Sequence, residues 1–397
     1  MNVYIARQPI LDIYNDVYAY ELVYKGDEDN YSSIPHANTE NPFFGIDIGD
    51  LAGGLRVFIN FSGTLLKYGA AKLLSPEKVT VAVTEEAYAD SRVAKEVAEL
   101  KERGYSIALG NFNYNGSCTE LFGLCDCVMI DFSASQKKTE EAAYVCKYSN
   151  KLMIAINVDT REKAENARHL GCVYFEGYYF AKPMGGSELK IEPLPANLAQ
   201  VLQLMSQPYP EISDIVEILS RDTAMCQRIL RLINSVYFGV SNKVSTINQA
   251  ILILGLDYLR EWVYLMSMQK ISRNDSAAAT RMALLMAKFC QKIAQHIPDT
   301  AKNSESFYLM GLLSMVVFSG DTVLAQALDE FPLADDIKKG LLRRGGVYSD
   351  VFEAALSYAI GKWDDFDAVA QNYGLNNQQI CDIYVQCTKE IVKIEIV

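Results

Sequence analysis

The sequence predicts an α/β barrel followed by an all-α domain, and three observations carry that expectation. Short β-rich runs alternate with amphipathic helical runs through the first half. Strand signals stop after AKPMGGSELKIEPLP, a stretch punctuated by Pro183, Gly185, Gly186, Pro193 and Pro195 that reads as a linker. The length of 397 residues, with 50% of them hydrophobic, suits two packed cores better than one.

Taken in order, strands are expected over Val17–Tyr24, Arg56–Phe61, Val79–Val83, Ser106–Leu109, Cys127–Ile130, Leu152–Ile156 and Cys172–Phe175, each a short β-rich run bounded by turn or helix signals. Helical spacing over Ser91–Arg103 and Thr160–Leu170 separates some of these runs, which implies a parallel sheet. About seven such units closing on themselves give a compact TIM-like barrel. So few residues require some of its helices to be short or missing. Beyond the linker, helical apolar spacing marks Asp214–Leu219, Met225–Ile233, Ile247–Leu254 and Leu256–Met268. It continues over Ala277–His296, Ser306–Phe318, Val323–Phe331, Val351–Ile360 and Gln378–Val392. Thr246 with Gln249 forms a capping-box pattern ahead of Ile247.

Charge argues against a nucleic-acid partner. The net charge is −12; residues 1–195 carry 19 Lys and Arg against 27 Asp and Glu, and residues 196–397 carry 18 against 22. Phosphate neutralisation needs clustered cations, which neither half offers. The nine cysteines are an odd number, scattered through apolar runs, and fit packed thiols in a reducing compartment. Cys125-Asp126-Cys127 is the one close pair and reads as strand-edge cysteines. MNVYIARQP lacks a signal-peptide pattern and no apolar run is long enough to span a bilayer, so a cytoplasmic location and no membrane partner are expected. His36, His169 and His296 lie far apart, which gives no support to a Ser-His-Asp arrangement or a histidine-rich metal site. In the helical half, Tyr237-Phe238 before Gly239 and the Tyr258/Trp262 pair one turn apart read as packing groups.

The barrel half carries the chemistry. AYELVYK places Glu21 on a strand, INFS places Asn60 at a strand end, and VTEE places Glu85 just past another. In a barrel, the C-terminal ends of strands are where catalytic groups sit. The ordered segments ARQPILD, AYELVYK, INFS, VTEE, MIDF and GCVYFEGYYFAKP resemble the EAL domain, a family that hydrolyses cyclic di-GMP with two divalent metals. SQPYPEISDIVEILSRDTAMCQRILRLINSVYFG and STINQAILILGLDYLREW resemble the HDOD domain, and EAL followed by HDOD is a known family order. The resemblance implies an EAL-like barrel over 1–190, a linker at 191–196 and an HDOD helical domain over 197–397.

Carried over residue by residue, the signature glutamate of the EAL motif falls on Glu21, in a Glu-Leu-Val tripeptide, and the ligand-contacting arginine falls on Lys25. The asparagine metal ligand is Asn60. The next motif's metal-binding glutamate falls on Ala82, and only its second glutamate remains, as Glu85. The paired aspartates fall on Gly110 and Asn111, the lysine assisting the attacking water on Met129 ahead of Asp131, a further glutamate on Ile156, and a glutamine on Glu176. Two hard divalent cations need several oxygen ligands each, and they clamp the attacking and leaving oxygens of a phosphodiester. The expectation is therefore a vestigial site made of Glu21, Lys25, Asn60, Glu85 and Asp131. It comes with no metal or other cofactor and no phosphodiesterase activity.

The function expected is a non-catalytic bacterial signalling protein that works through protein–protein interaction or scaffolding, with unidentified signalling partners and a homodimer as one possibility. The alternative is a receptor that binds cyclic di-GMP without hydrolysis; against it, Lys25 puts a point charge where a planar arginine would bind bidentately, and Glu176 brings a negative charge near a dianionic ligand. A single metal held by Glu21, Asn60 and Asn111 is a further alternative, and an active metal-dependent phosphodiesterase a third class. An interaction module predicts an acidic or blocked cleft. A receptor predicts an open cleft lined by positive charge.

Overall fold

The computed structural model describes residues 4–25, 48–112, 118–177, 196–205, 210–234, 238, 240, 243–272, 277–314, 328 and 333–392. The linker expected at 191–196, all of it but Ala196, lies outside these residues, as do His36, Tyr237, Gly239 and most of the helix expected over 323–331.

The first half is a closed barrel of eight strands in sequential order. They are β1 (Tyr4–Leu11), β2 (Val17–Lys25), β3 (Arg56–Phe61), β4 (Val79–Val83), β5 (Ser106–Leu109), β6 (Cys127–Asp131), β7 (Leu152–Ile156) and β8 (Tyr174–Glu176). Strands β2 to β8 run parallel, whereas β1 is antiparallel to both neighbours, β2 and β8. Sequence reading missed β1 and gave seven strands. A short turn at Asp12–Asp16 joins β1 to β2, with Asp12 Oδ1 accepting from Tyr14 N and Asp16 N. The helices of this half are α1 (Ile48–Ala52), α2 (Gly63–Lys67), α3 (Ser91–Glu102), α4 (Thr119–Leu124), α5 (Gln136–Tyr148) and α6 (Arg161–Leu170). Three of them have five or six residues, which is how the barrel fits so short a stretch of chain. Asp90 caps α3 through Arg92 N, and Thr160 caps α6 through Lys163 N.

Alternation along each strand sends every second side chain into the barrel. Ile10, Ala19, Phe58, Ala82, Ala108, Cys127, Met129, Ile154 and Ile156 fill the interior, with Tyr174 against them. All nine cysteines are reduced thiols and eight are buried. Burial pushes Cys125 up to about 11 and Cys127 up to about 12, as expected of packed thiols rather than nucleophiles.

The second half is helical: α7 (Ala196–Met205), α8 (Ile212–Ser220), α9 (Thr223–Ile233), α10 (Ile247–Leu254), α11 (Leu256–Ser272), α12 (Ala277–Gln295), α13 (Ser304–Leu312), α14 (Asp335–Leu341), α15 (Val347–Ala359), α16 (Trp363–Tyr373) and α17 (Asn377–Val392). Thr246 caps α10 by accepting from Gln249 N. Trp262 is buried, and Phe238 meets Tyr258 edge-on with ring centroids 5.2 Å apart. No helix among the described residues is long and apolar enough to cross a membrane.

The chain forms two compact units. One holds residues 1–181 together with Tyr358–Trp363 and Asn377–Val385; the other holds 182–357, 364–376 and 386–397. Two short segments from the C-terminal third therefore belong to the barrel's unit.

Candidate functional site

One layer above the apolar interior, toward the C-terminal ends of the parallel strands, the barrel turns polar. Glu21 lies two residues past Ala19 on β2, Asn60 two past Phe58 on β3, and Glu176 two past Tyr174 on β8. All three thus share the inward face. The antiparallel β1 closes the circle: Gln8 is in register with Glu21, and Ile10 with Glu176. Asn60 Nδ2 donates to Glu21 Oε1 at 2.5 Å. The Glu176 carboxyl is hydrogen-bonded to Glu21 as well, and its Oε2 is buried with no partner among the described residues. Glu21 and Glu176 are 6% and 4% exposed. Burial above all, then the charge of Glu21 and the bond to it, holds the Glu176 carboxyl well above the usual carboxylate range.

The remaining sequence-singled residues fall into four groups. Ala82, Met129 and Ile156 are buried members of the apolar interior. Gly110 lies at the end of β5, where its N–H donates to Val83 O at 2.9 Å and its carbonyl accepts from Tyr88 Oη at 2.6 Å. A Cβ at Gly110 would stand 3.1 Å from Asn60 Oδ1, close enough that the Asn60 amide would have to give by a few tenths of an ångström. Asn111 follows in the left-handed region, φ +50°, which Asn tolerates better than most residues. Asp131 is tied into its own loop: Oδ1 accepts from Ser133 N at 2.7 Å and Asn157 Nδ2 at 2.9 Å, and Oδ2 accepts from Ser133 Oγ at 2.8 Å. Glu85 is exposed in a single helical turn after β4, and Lys25 is exposed at the end of β2.

A cleft of about 540 Å³ opens beside this polar group at the ends of β2, β3 and β4. Its walls include Val23, Asn60, Ser62, Lys67, Thr84 and Glu86. Lys67 is paired with Asp90 at 2.9 Å. Sequence reading missed Gln8 and the buried Arg7, whose guanidinium lies 4.4 Å from the Tyr20 ring centre and donates to Leu51 O. The signal available for both was the alternation in YIARQPIL.

Glu21, Asn60 and Glu176 bring three oxygen-bearing side chains together. Among the described residues no cluster of three His, Cys, Asp or Glu side chains is placed to hold a metal ion. The unpartnered Glu176 Oε2 would suit one more polar group. The neutral Ala82, Gly110, Asn111 and Ile156 nearby do not make the carboxylate-rich set that a pair of hard divalent cations requires.

Family models match this chain as an EAL domain over residues 56–183 and an HDOD domain over residues 191–334. The uncharacterized protein YuxH of Bacillus subtilis is 27% identical, with 97% of each chain covered. The cyclic di-GMP phosphodiesterase CdgJ of Vibrio cholerae is also 27% identical, over 95% of this chain and 89% of that one. Among solved structures, an EAL domain protein from Listeria monocytogenes is 18% identical, covering 45% of this chain and 87% of that one at a TM-score of 0.36. The FimX EAL domain from Pseudomonas aeruginosa bound to c-di-GMP is 17% identical, covering 45% and 89% at a TM-score of 0.34. The relationship to CdgJ corrects the expectation that this chain is not an enzyme: a relative spanning nearly its whole length is named a phosphodiesterase. The neutral residues at Ala82, Gly110 and Ile156 describe a donor set, and the buried Glu21–Glu176 pair remains built beside them.

Proposed function

We propose that this chain, an EAL domain followed by an HDOD domain, is a cyclic di-GMP signalling protein that takes the nucleotide at the C-terminal rim of its barrel. The observation that carries the reading is the convergence of Glu21, Asn60 and Glu176 beside a cleft of about 540 Å³, within the size range of small-molecule sites. The ligand is a dianion, and the site's acidity is reduced in the way such a ligand needs. The raised pKa of Glu176 favours its protonated form, which removes a negative charge from the rim, its one O–H being shared with Glu21. Lys25, at the end of β2, supplies a point charge for one phosphate. Glu21 is held by the Asn60 amide and Glu176, so its position is fixed before the ligand arrives.

Calorimetric titration with cyclic di-GMP, with and without manganese, tests the reading, with chromatography of the nucleotide afterwards showing whether it has been linearised. Saturable binding that weakens about tenfold or more in Lys25→Ala is the expected result, since charge-assisted hydrogen bonds are worth about 1.5–3 kcal/mol. Absence of heat at high nucleotide concentration in both metal conditions would remove the barrel rim as a cyclic di-GMP site.

A further inference from the structure

Two segments of the C-terminal third lie on β1, and their contacts form a pattern. β8 pairs with β1 only at Ile10 and Leu11, so the ladder on that side stops short of residues 4–9 among the described residues. Along that edge, Ile5 N donates to Tyr358 Oη at 3.5 Å and Arg7 N donates to Tyr384 Oη at 3.3 Å. Successive N–H groups two residues apart point the same way, so two tyrosine hydroxyls stand in for a strand. Pro9 shares this alternation and lacks an N–H, so the edge asks for no third donor site. Tyr358 and Tyr384 are fully buried, Tyr4 stacks on Trp363 at 5.1 Å, and Asn377 Nδ2 donates to Tyr4 Oη.

The turn between α15 and α16 reaches the rim. Gln8, in register with Glu21, donates from Nε2 to Ile360 O at 3.0 Å. Gly361 lies against Val23 so closely that a Cβ there would stand 3.3 Å from Val23 Cγ1 and 3.7 Å from Gln8 Nε2. Val23 is two residues past Glu21 on the same inward face, and it also lines the cleft. The φ of +75° at 361 favours glycine, and a side chain there would press on Val23.

We propose that Tyr358–Trp363 is a lid on the β1–β2 side of the barrel rim, latched by the Tyr358 and Tyr384 hydroxyls and by Gln8, and that its release widens the cleft at Val23. Both latch segments continue in sequence into the helical unit, through Ser357, Asp364 and Gln386. The placement of the lid is independent of the ligand; its effect on cyclic di-GMP rests on the function proposed above.

The test is Tyr358→Phe/Tyr384→Phe in the full chain, which removes two hydroxyls and leaves the ring packing. Amide hydrogen exchange at Ile5 and Arg7 is read first. Each net hydrogen bond lost is expected to speed exchange about fivefold, with barrel strands β4–β7 unchanged. The second readout uses Val23→Cys, whose labelling by a small maleimide is identified by mass spectrometry. The latch double variant is expected to raise that rate about tenfold, and cyclic di-GMP affinity is expected to rise with it. Unchanged exchange at Ile5 and Arg7, or faster exchange with unchanged labelling at position 23, overturns the lid. Faster exchange and labelling in a protein that binds no cyclic di-GMP, wild type included, supports the lid and overturns the ligand assignment instead.

Discussion

Glu176 carries a consequence for stability whose sign is fixed by its surroundings. Its pKa is raised in the folded chain, by burial first and by Glu21 second. Below the ordinary carboxylate value both folded and unfolded chains hold the proton, and the group costs nothing. As pH rises past that value the unfolded chain releases its proton and the folded chain retains it, so stability falls toward and through the folded pKa. Glu176→Gln removes this dependence while keeping shape and a donor. Thermal or urea unfolding with a chelator present should show the variant gaining on wild type as pH rises from 4 to 8. A difference that stays flat with pH would sink the account. The identity of Glu176 was legible in GCVYFEGYYFAKP, but its partnership with Glu21 was not. Residues 21 and 176 meet only because β1 lies between them, and β1 was the strand the sequence concealed. Gly110 shows the same limit: its identity was readable, whereas its closeness to Asn60 on the neighbouring strand was not.

Strands β3 to β7 were legible to within a residue because each is a short β-rich run buried along nearly its whole length. β1 was not, because Pro9 demotes a strand reading and because seven parallel repeats leave no cue for one antiparallel member. β8 was expected at Cys172 and begins at Tyr174. Gly171, with φ +97°, ends α6, and Cys172 N still bonds back to Ala167 O, which spends those residues on the helix end. In the helical half the capping pattern at Thr246 placed α10 correctly, but apolar spacing gave no sign of how close neighbouring helices come. Gly311 on α13 packs so tightly on α12 that a Cβ would overlap the Met286 carbonyl. Backbone cannot rotate away as a side chain can, so Gly311→Ala should cost about 1–3 kcal/mol or more, read as a lowered urea midpoint with an unchanged slope. An alanine variant as stable as wild type would mean that α12 and α13 separate without penalty.

Composition and the linker signal conveyed that the chain has two cores, yet not how it divides between them. A boundary near 190 follows from local sequence, since everything N-terminal to it alternates and everything beyond is helical. The barrel's unit nevertheless recruits Tyr358–Trp363 and Asn377–Val385, far beyond that boundary, a pairing that no local pattern encodes. Those segments pack Tyr358 and Trp363 against Tyr4 and bond the Ile5 and Arg7 amides. A fragment ending at residue 190 loses Tyr358, Trp363, Ile380 and Tyr384 at once. It then presents an apolar strand edge with free donors to solvent, the arrangement that invites pairing with another copy. Each large side chain lost from such a contact is worth about 1.5–3 kcal/mol, and whole-domain stability is only about 5–15 kcal/mol. The fragment 1–190 should therefore melt well below the full chain or without a cooperative transition, and light scattering should find it associated. A monomeric fragment with a sharp transition at the full chain's melting temperature would show that the barrel closes by its own residues, and that the returning segments rest on β1 without supporting it.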